Sequence, residues 1–363
     1  MARIELDLAH SYKPQPREDA DYALLPLKMC FEDGGAYALL GPSGCGKTTM
    51  LNIMSGLLVP SQGTVRFDGV DMTRATPQAR NIGQVFQFPV IYDTMTVAEN
   101  LAFPLKNRGV PAAKIAERVG QIAEMLEMSH QLDVRAAGLA ADQKQKISLG
   151  RGLVRPDVTA VLFDEPLTVI DPHLKWQLRR KLKQIHRELK LTLIYVTHDQ
   201  VEALTFAEQV VVMTRGRVVQ IGAPEALFER PAHTFVGHFI GSPGMNFLPV
   251  ERGSDGALRI GGHALAAVAP PAAARAGAGA LVLGIRPEYL RLAATGAPGA
   301  LPATVRRLQD VGTHVLLTCE AAGQPLKLRL AEAAVDLPPP GAEVSLQLLT
   351  EQTCWYLDGE LLT

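Results

Sequence analysis

Nine consecutive residues, Gly41, Pro42, Ser43, Gly44, Cys45, Gly46, Lys47, Thr48 and Thr49, have the types and spacing needed to cradle a chain of phosphates. Glycines at 41, 44 and 46 keep side chains out of the loop, so successive backbone N–H groups can converge on phosphate oxygens at a helix N-terminus. Lys47 adds a mobile cation for the outer phosphates, and the Thr48 hydroxyl is a candidate ligand for Mg²⁺. Cys45 occupies a position that this chemistry leaves variable.

Three further places carry candidate chemistry. The unalternating run at 160–163 ends in Asp164-Glu165-Pro166, two carboxylates where a buried parallel strand would stop. There Asp164 could hold Mg²⁺, directly or through water, and Glu165 could polarise the water that attacks a terminal phosphate. A second apolar run, 191–197, ends at His198, within reach of the same edge. Tyr12 follows the first strand-like run, where an aromatic ring could stack on a nucleotide base.

The elements that must position these residues are legible in the hydrophobic pattern. Residues 36–40 read as a buried strand and 50–58 have a helical rhythm, giving the strand, loop, helix order that a phosphate loop requires. Residues 3–40 read as a small antiparallel sheet with a polar loop at 13–21. Strands are expected at 64–69 and 82–86, and then helices from 96 to 126 interrupt the α/β alternation as an inserted helical subdomain. The segment 174–190 is a basic amphipathic helix, read as a solvated face. Strand-like residues 209–219, with a turn at Arg215-Gly216, close the first domain near Phe235. Beyond it lies a stretch rich in Ala, Gly and Pro at 261–280, among short strand-like runs that predict a small β-barrel.

At 363 residues the chain is long enough for two domains, each with its own core. With 47% hydrophobic residues, 20% charged residues and a formal net charge of −1, nothing favours bulk electrostatic binding of nucleic acid or anionic lipid. No apolar run approaches the roughly 20 residues of a membrane-spanning helix, and the amino end lacks the apolar core of a signal peptide, so a cytosolic protein is expected. The four cysteines, Cys30, Cys45, Cys319 and Cys354, show no metal-ligand or redox spacing and are expected to be reduced.

Taken together, these motifs resemble the ATP-binding subunits of ABC transporters, and more narrowly the maltose-type sugar and polyol importer ATPases. The resemblance covers almost the whole chain: Tyr12, the P-loop at 41–49, Gln87 in Val-Phe-Gln, the Walker B run ending in Asp164 and Glu165, and the switch residue His198. The tail is similar to the TOBE-type oligonucleotide-fold domain of that group at 239–248 and 284–290. The implied architecture is an α/β P-loop NTPase domain over residues 1–235, with its helical subdomain at about 88–158, followed by an all-β OB-fold/TOBE-type regulatory domain over 236–363. Implied cofactors are ATP and Mg²⁺, with Thr48, Gln87 and Asp164 on the metal, Gln87, Glu165 and His198 in catalysis, and Tyr12 with 41–49 on the nucleotide.

The resemblance also implies partners. Two such subunits sandwich two ATP molecules head to tail, each P-loop facing the other's signature sequence, and drive membrane-spanning permease subunits from the cytoplasmic face of the inner membrane. The Gln87 loop and the helical subdomain are expected to face that permease, and the segment around 88–97 resembles importers of glycerol or related polyols. This sequence departs from the family where a signature of the form Leu-Ser-Gly-Gly-Gln is usual: it has Leu139, Ala140, Ala141, Asp142 and Gln143. Ala140 removes a hydroxyl donor, and Asp142 brings a carboxylate toward the partner's phosphate, where two charges at about 4 Å interact by several kcal/mol. The D-loop departs as well, with Thr168, Val169 and Ile170 ahead of Asp171.

The expectation is therefore an ATP-hydrolysing importer subunit for a sugar or polyol, paired with a second, different ATPase, with pairing to a copy of itself as the alternative. A non-hydrolysing regulatory subunit and a soluble ABC ATPase unconnected with transport are the alternatives. The latter would call for tandem nucleotide domains or a basic arm, and this sequence has neither.

Overall fold

The computed structural model describes residues 2–168, 170–253, 256–265, 279–294, 296–297, 299–331 and 337–362. Val169 of the D-loop and 266–278 of the Ala/Gly/Pro stretch therefore lie outside the described residues. The chain forms two compact units, Met1–Pro224 and Glu225–Thr363.

In the first unit the elements run β1 (Ile4–His10), β2 (Leu24–Phe31), β3 (Ala36–Leu40), α1 (Lys47–Ser55), β4 (Gln62–Phe67), β5 (Val70–Asp71), α2 (Pro77–Arg80) and β6 (Gly83–Val85). They continue as α3 (Val97–Lys106), α4 (Ala112–Met125), α5 (Ala141–Leu153), β7 (Val161–Asp164), α6 (Pro172–Leu189), β8 (Leu193–Thr197), α7 (Gln200–Phe206), β9 (Gln209–Thr214) and β10 (Arg217–Gly222). The main sheet has the order β10-β9-β3-β8-β7-β6, parallel from β9 to β6 with β10 antiparallel at the edge. A second sheet, β2-β1-β4-β5, is antiparallel. Strands β3 and β8 are buried at every position, the signature of strands covered on both faces. The order places the carboxyl ends of β3, β7 and β8 side by side, the edge at which open α/β sheets bind ligands.

Helices α3, α4 and α5 pack on one another. Thr96 caps α3 by accepting from the Glu99 N–H, and Glu99 returns the favour to the Thr96 N–H, a reciprocal box. The basic helix α6 is amphipathic, with Arg180, Gln184 and Arg187 on its exposed face. Leu178, Leu182 and Ile185 form its buried stripe, His186 is buried against the Leu191 carbonyl, and three of its lysines act within the fold. Lys175 faces Glu202 (3.8 Å), Lys181 faces Glu127 (3.7 Å) and Lys183 donates to the Thr205 carbonyl.

The second unit opens with α8 (Pro224–Glu229) and α9 (Thr234–Phe239). Its strands are β11 (Asn246–Pro249), β12 (Glu251–Arg252), β13 (Leu258–Ile260), β14 (His263–Ala264), β15 (Leu281–Ile285) and β16 (Arg291–Ala293). After these come β17 (Leu301–Asp310), β18 (His314–Ala321), β19 (Gln324–Ala331), β20 (Glu343–Gln347), β21 (Cys354–Leu357) and β22 (Glu360–Leu361). They form sheets β11-β15-β21-β22, β12-β13-β14 and β16-β20-β17-β18-β19 around a mainly aliphatic core, with a smaller cluster of Met245, Cys354 and Tyr356 beside it.

The unit division at 224 comes ahead of the boundary expected near 235, because the short helices bond to the β region. Arg286, fully buried, donates to the carbonyls of Phe228 (2.7 Å), Gly237 (3.1 Å) and Ile240 while its guanidinium stacks on the Phe228 ring. Tyr356 adds a bond to the Pro231 carbonyl (3.0 Å). The guanidinium thus satisfies helix-end carbonyls that would otherwise be buried without partners.

Candidate functional site

The phosphate loop is built by β3 and α1. Gly46 stands at the N-cap of α1 with φ 105°, and a Cβ there would lie 2.5 Å from the Ala23 carbonyl, so only glycine fits. At Gly41 a Cβ would meet the Met213 carbonyl at 2.2 Å. Lys47 is buried and folds back, its ammonium donating to the carbonyls of Gly41 (2.8 Å) and Pro42 (3.0 Å). Those bonds hold a cation over the loop at the helix N-terminus, where the dipole already favours an anion. At the other end of α1, buried Arg80 donates to the carbonyls of Ile53 and Met54 and to that of Thr73, fixing the helix that carries the loop.

Thr48 donates from its hydroxyl to Asp164 Oδ1 at 3.4 Å, joining the loop to the end of β7. Burial pushes the Asp164 carboxyl above the ordinary range, and the neighbouring Glu165 charge pushes it further, against the lowering effect of Thr48 and Lys47. A carboxylate so destabilised, beside a hydroxyl, fits a hard divalent cation. Tyr12 is 66% exposed, and its hydroxyl lies 3.2 Å from Thr49 Oγ1, so one ring face is free beside the loop.

Glu165 is held in the left-handed region (φ 46°), with its N–H donating to the Val196 carbonyl at 3.0 Å. A non-glycine residue there is strained, and the β8 bond holds it in place. Its Oε2 takes the Thr168 hydroxyl (3.2 Å) and lies 3.1 Å from His198 Nδ1. His198 is itself bracketed: the Thr197 hydroxyl accepts from the Asp199 N–H (3.0 Å) and donates to buried Glu202 (2.8 Å), which also takes the Tyr195 hydroxyl. Gln87 lies two residues beyond β6, whose Val85 pairs with Phe163, so it stands at the same strand edge.

The segment 139–143 lies elsewhere, at the start of α5. Ala140 is the N-cap residue and has no side-chain oxygen to offer; only half a capping box remains, in which the Ala140 N–H donates to Gln143 Oε1 at 3.1 Å. Gln143 also donates to Gln131 Oε1 (3.2 Å). Asp142 lines a groove with Lys146, Trp176 and Arg180 rather than capping the helix. Asp171 caps α6, its Oδ1 accepting from the His173 N–H (2.9 Å).

Comparison with known proteins places this geometry. Residues 24–168 match the ABC transporter family, 241–290 the MalK OB fold domain and 283–355 the TOBE domain. The sn-glycerol-3-phosphate import ATP-binding protein UgpC of Pectobacterium atrosepticum is 38% identical over 332 residues, which are 92% of this chain and 91% of that protein. The protein of the same description from Rhizobium johnstonii (UgpC 3) is 41% identical over 86% of this chain and 85% of its own. The chain belongs to the ABC transporter ATP-binding family. Among solved structures, cbiO1 from Clostridium perfringens, part of the ABC transporter complex cbiONQ, superposes with a TM-score of 0.57 at 26% identity, covering 63% of this chain and 90% of that one. This chain is accordingly an ABC-type ATPase that binds ATP, and it carries the OB-fold and TOBE regions of the MalK group.

Of the residues singled out from the sequence, the fold brings Tyr12, the loop at 41–49, Asp164, Glu165 and His198 to one strand edge, while 139–143 sits apart on α5. Sequence reasoning missed Arg80, which bonds across 27 residues to the end of α1, and Glu202, which takes the nearby Thr197 and Tyr195 hydroxyls.

Proposed function

We propose that this chain is the ATP-hydrolysing subunit of an importer for sn-glycerol-3-phosphate or a closely related polyol phosphate, acting at the cytoplasmic face of the cell membrane. The observation that carries the catalytic part is the approach of Glu165 and His198 to 3.1 Å beside the phosphate loop. Thr48 and Asp164 are the residues that would hold Mg²⁺, with Gln87 as a third donor, and the bound ion would neutralise phosphate charge. Lys47 exchanges its carbonyl partners for outer phosphate oxygens. Glu165 orients the attacking water and draws off its proton, and His198 keeps that carboxylate aimed while donating toward the terminal phosphate. Tyr12 stacks on the base.

The solute is supported by the printed descriptions of the relatives, which are 37–42% identical and name sn-glycerol-3-phosphate import in seven of eight cases. A permease partner is supported by the exposed apolar series Phe86, Phe88, Val90 and Tyr92, 39–66% accessible, around Gln87. Such a contiguous patch fits a docking surface. The second ATPase is a different chain in this reading, because Ala140 and Asp142 weaken the half-site this chain would present to a copy of itself.

The test is uptake. The chain co-purified with its permease and reconstituted in vesicles should import labelled sn-glycerol-3-phosphate with ATP, and unlabelled glycerol should not compete. Import of free sugars alone would refute the solute, and ATP turnover indifferent to the permease would refute the transport role.

A further inference from the structure

The signature helix α5 carries one side chain that none of the chemistry above uses. Gln145 is fully buried, two residues beyond the altered 139–143 segment. Its Nε2 donates to the Pro166 carbonyl at 2.6 Å and to the Phe86 carbonyl at 3.4 Å. Pro166 immediately follows Glu165, and Phe86 immediately precedes Gln87. Both partners are carbonyls, so the amide orientation is fixed with nitrogen toward them, and Oε1 finds no partner among the described residues. Keeping a buried amide with an unsatisfied oxygen is unfavourable, so the two N–H bonds are what this residue contributes.

The neighbouring contacts show that α5 also carries the exposed loop. Lys144 holds Asp93 (3.0 Å), and Arg151 donates to the Val90 carbonyl (2.8 Å) with its guanidinium 4.8 Å from the Tyr92 ring centre. Gln145 thus bonds from α5 to the residues next to Gln87 and Glu165, and α5 is tied to the 88–95 loop by the Lys144 and Arg151 contacts.

We infer that Gln145 is a positioning residue that transmits permease engagement to the ATP site, its amide setting Gln87 and Glu165 relative to one another. This rests on the transport reading above and goes beyond it in naming the link. The loss of Gln145 lowers turnover in the permease-bound state more than it lowers ATP affinity, because the amide touches neither the phosphate loop nor Tyr12.

The experiment compares wild-type, Gln145→Met and Gln145→Glu chains in the reconstituted permease complex. Met keeps the volume and donates nothing; Glu keeps the shape and, buried beside two carbonyls and hence protonated, has a single O–H in place of the two N–H bonds. The readouts are kcat and KM for ATP with and without solute-loaded permease, and the thermal unfolding midpoint. Solute-stimulated kcat should fall about tenfold in both variants with KM within about twofold, the pattern of an interaction made in the activated state. If either variant fails to fold, the other carries the comparison; if both do, Gln145→Asn, which keeps the amide one methylene shorter, replaces them with the same expected split. Wild-type stimulation in a folded variant, or a rise in KM matching the fall in kcat, overturns the inference. A wild-type complex that shows no stimulation at all would instead refute the transport role itself.

Discussion

The carboxyl edge of the main sheet and the start of α5, proposed above as two halves of one kind of composite site, are built to different standards in this chain. At the sheet edge several polar side chains are held in place: Thr48 by Asp164, Glu165 by His198, Thr197 by Glu202, and Lys47 by two carbonyls of its own loop. At the start of α5 the cap residue is Ala140, with nothing to donate or accept from its side chain, and Asp142 shares a groove with Lys146 and Arg180. Preorganised groups at the edge are what electrostatic catalysis requires. A helix start that has lost its hydroxyl and gained a carboxylate is poorly suited to receive a phosphate. This difference is what the proposed pairing with a different ATPase rests on.

Replacing Glu165 by Gln breaks that comparison most severely. It preserves shape and the His198 contact but removes the base, so ATP turnover should fall by about 10²–10⁴ while ATP binding is retained. Unchanged turnover would show that the edge is not the catalytic half. Asp164→Asn comes next and separates function from stability. Burial and the Glu165 charge raise the Asp164 pKa, so the folded state binds the proton more tightly than the unfolded chain, and stability falls as pH rises from the unfolded value toward the folded one. At neutral pH the uncharged amide relieves that cost: the unfolding midpoint should rise, by about 2–4 °C for each kcal/mol regained, while turnover in Mg²⁺ falls at least tenfold. A lowered midpoint with intact turnover would mean that Asp164 serves packing alone.

How much of this was legible in the sequence follows from range. The phosphate loop, the acids at 164 and 165 and His198 are local features: glycines that a tight turn demands, and polar residues that end an apolar strand. The alternation of strands and helices, its interruption between 96 and 126, and the β-rich tail are local too. Arg80, Gln145 and Arg286 were not legible. A buried polar residue looks like a surface one until the chain brings its partners from up to 59 residues away. Helix α6 was legible as an amphipathic helix, but the partners of its lysines, Glu127, Glu202 and the Thr205 carbonyl, were not.

The central claim, a competent edge opposite a damaged signature, is tested most directly by repairing the signature. ATP turnover of the purified chain, measured against protein concentration, should be low for the wild type and rise at least tenfold, with cooperative dependence on ATP, in the Ala140→Ser, Ala141→Gly, Asp142→Gly variant. Robust cooperative turnover by the wild-type chain on its own, unaltered by the repair, would contradict the account.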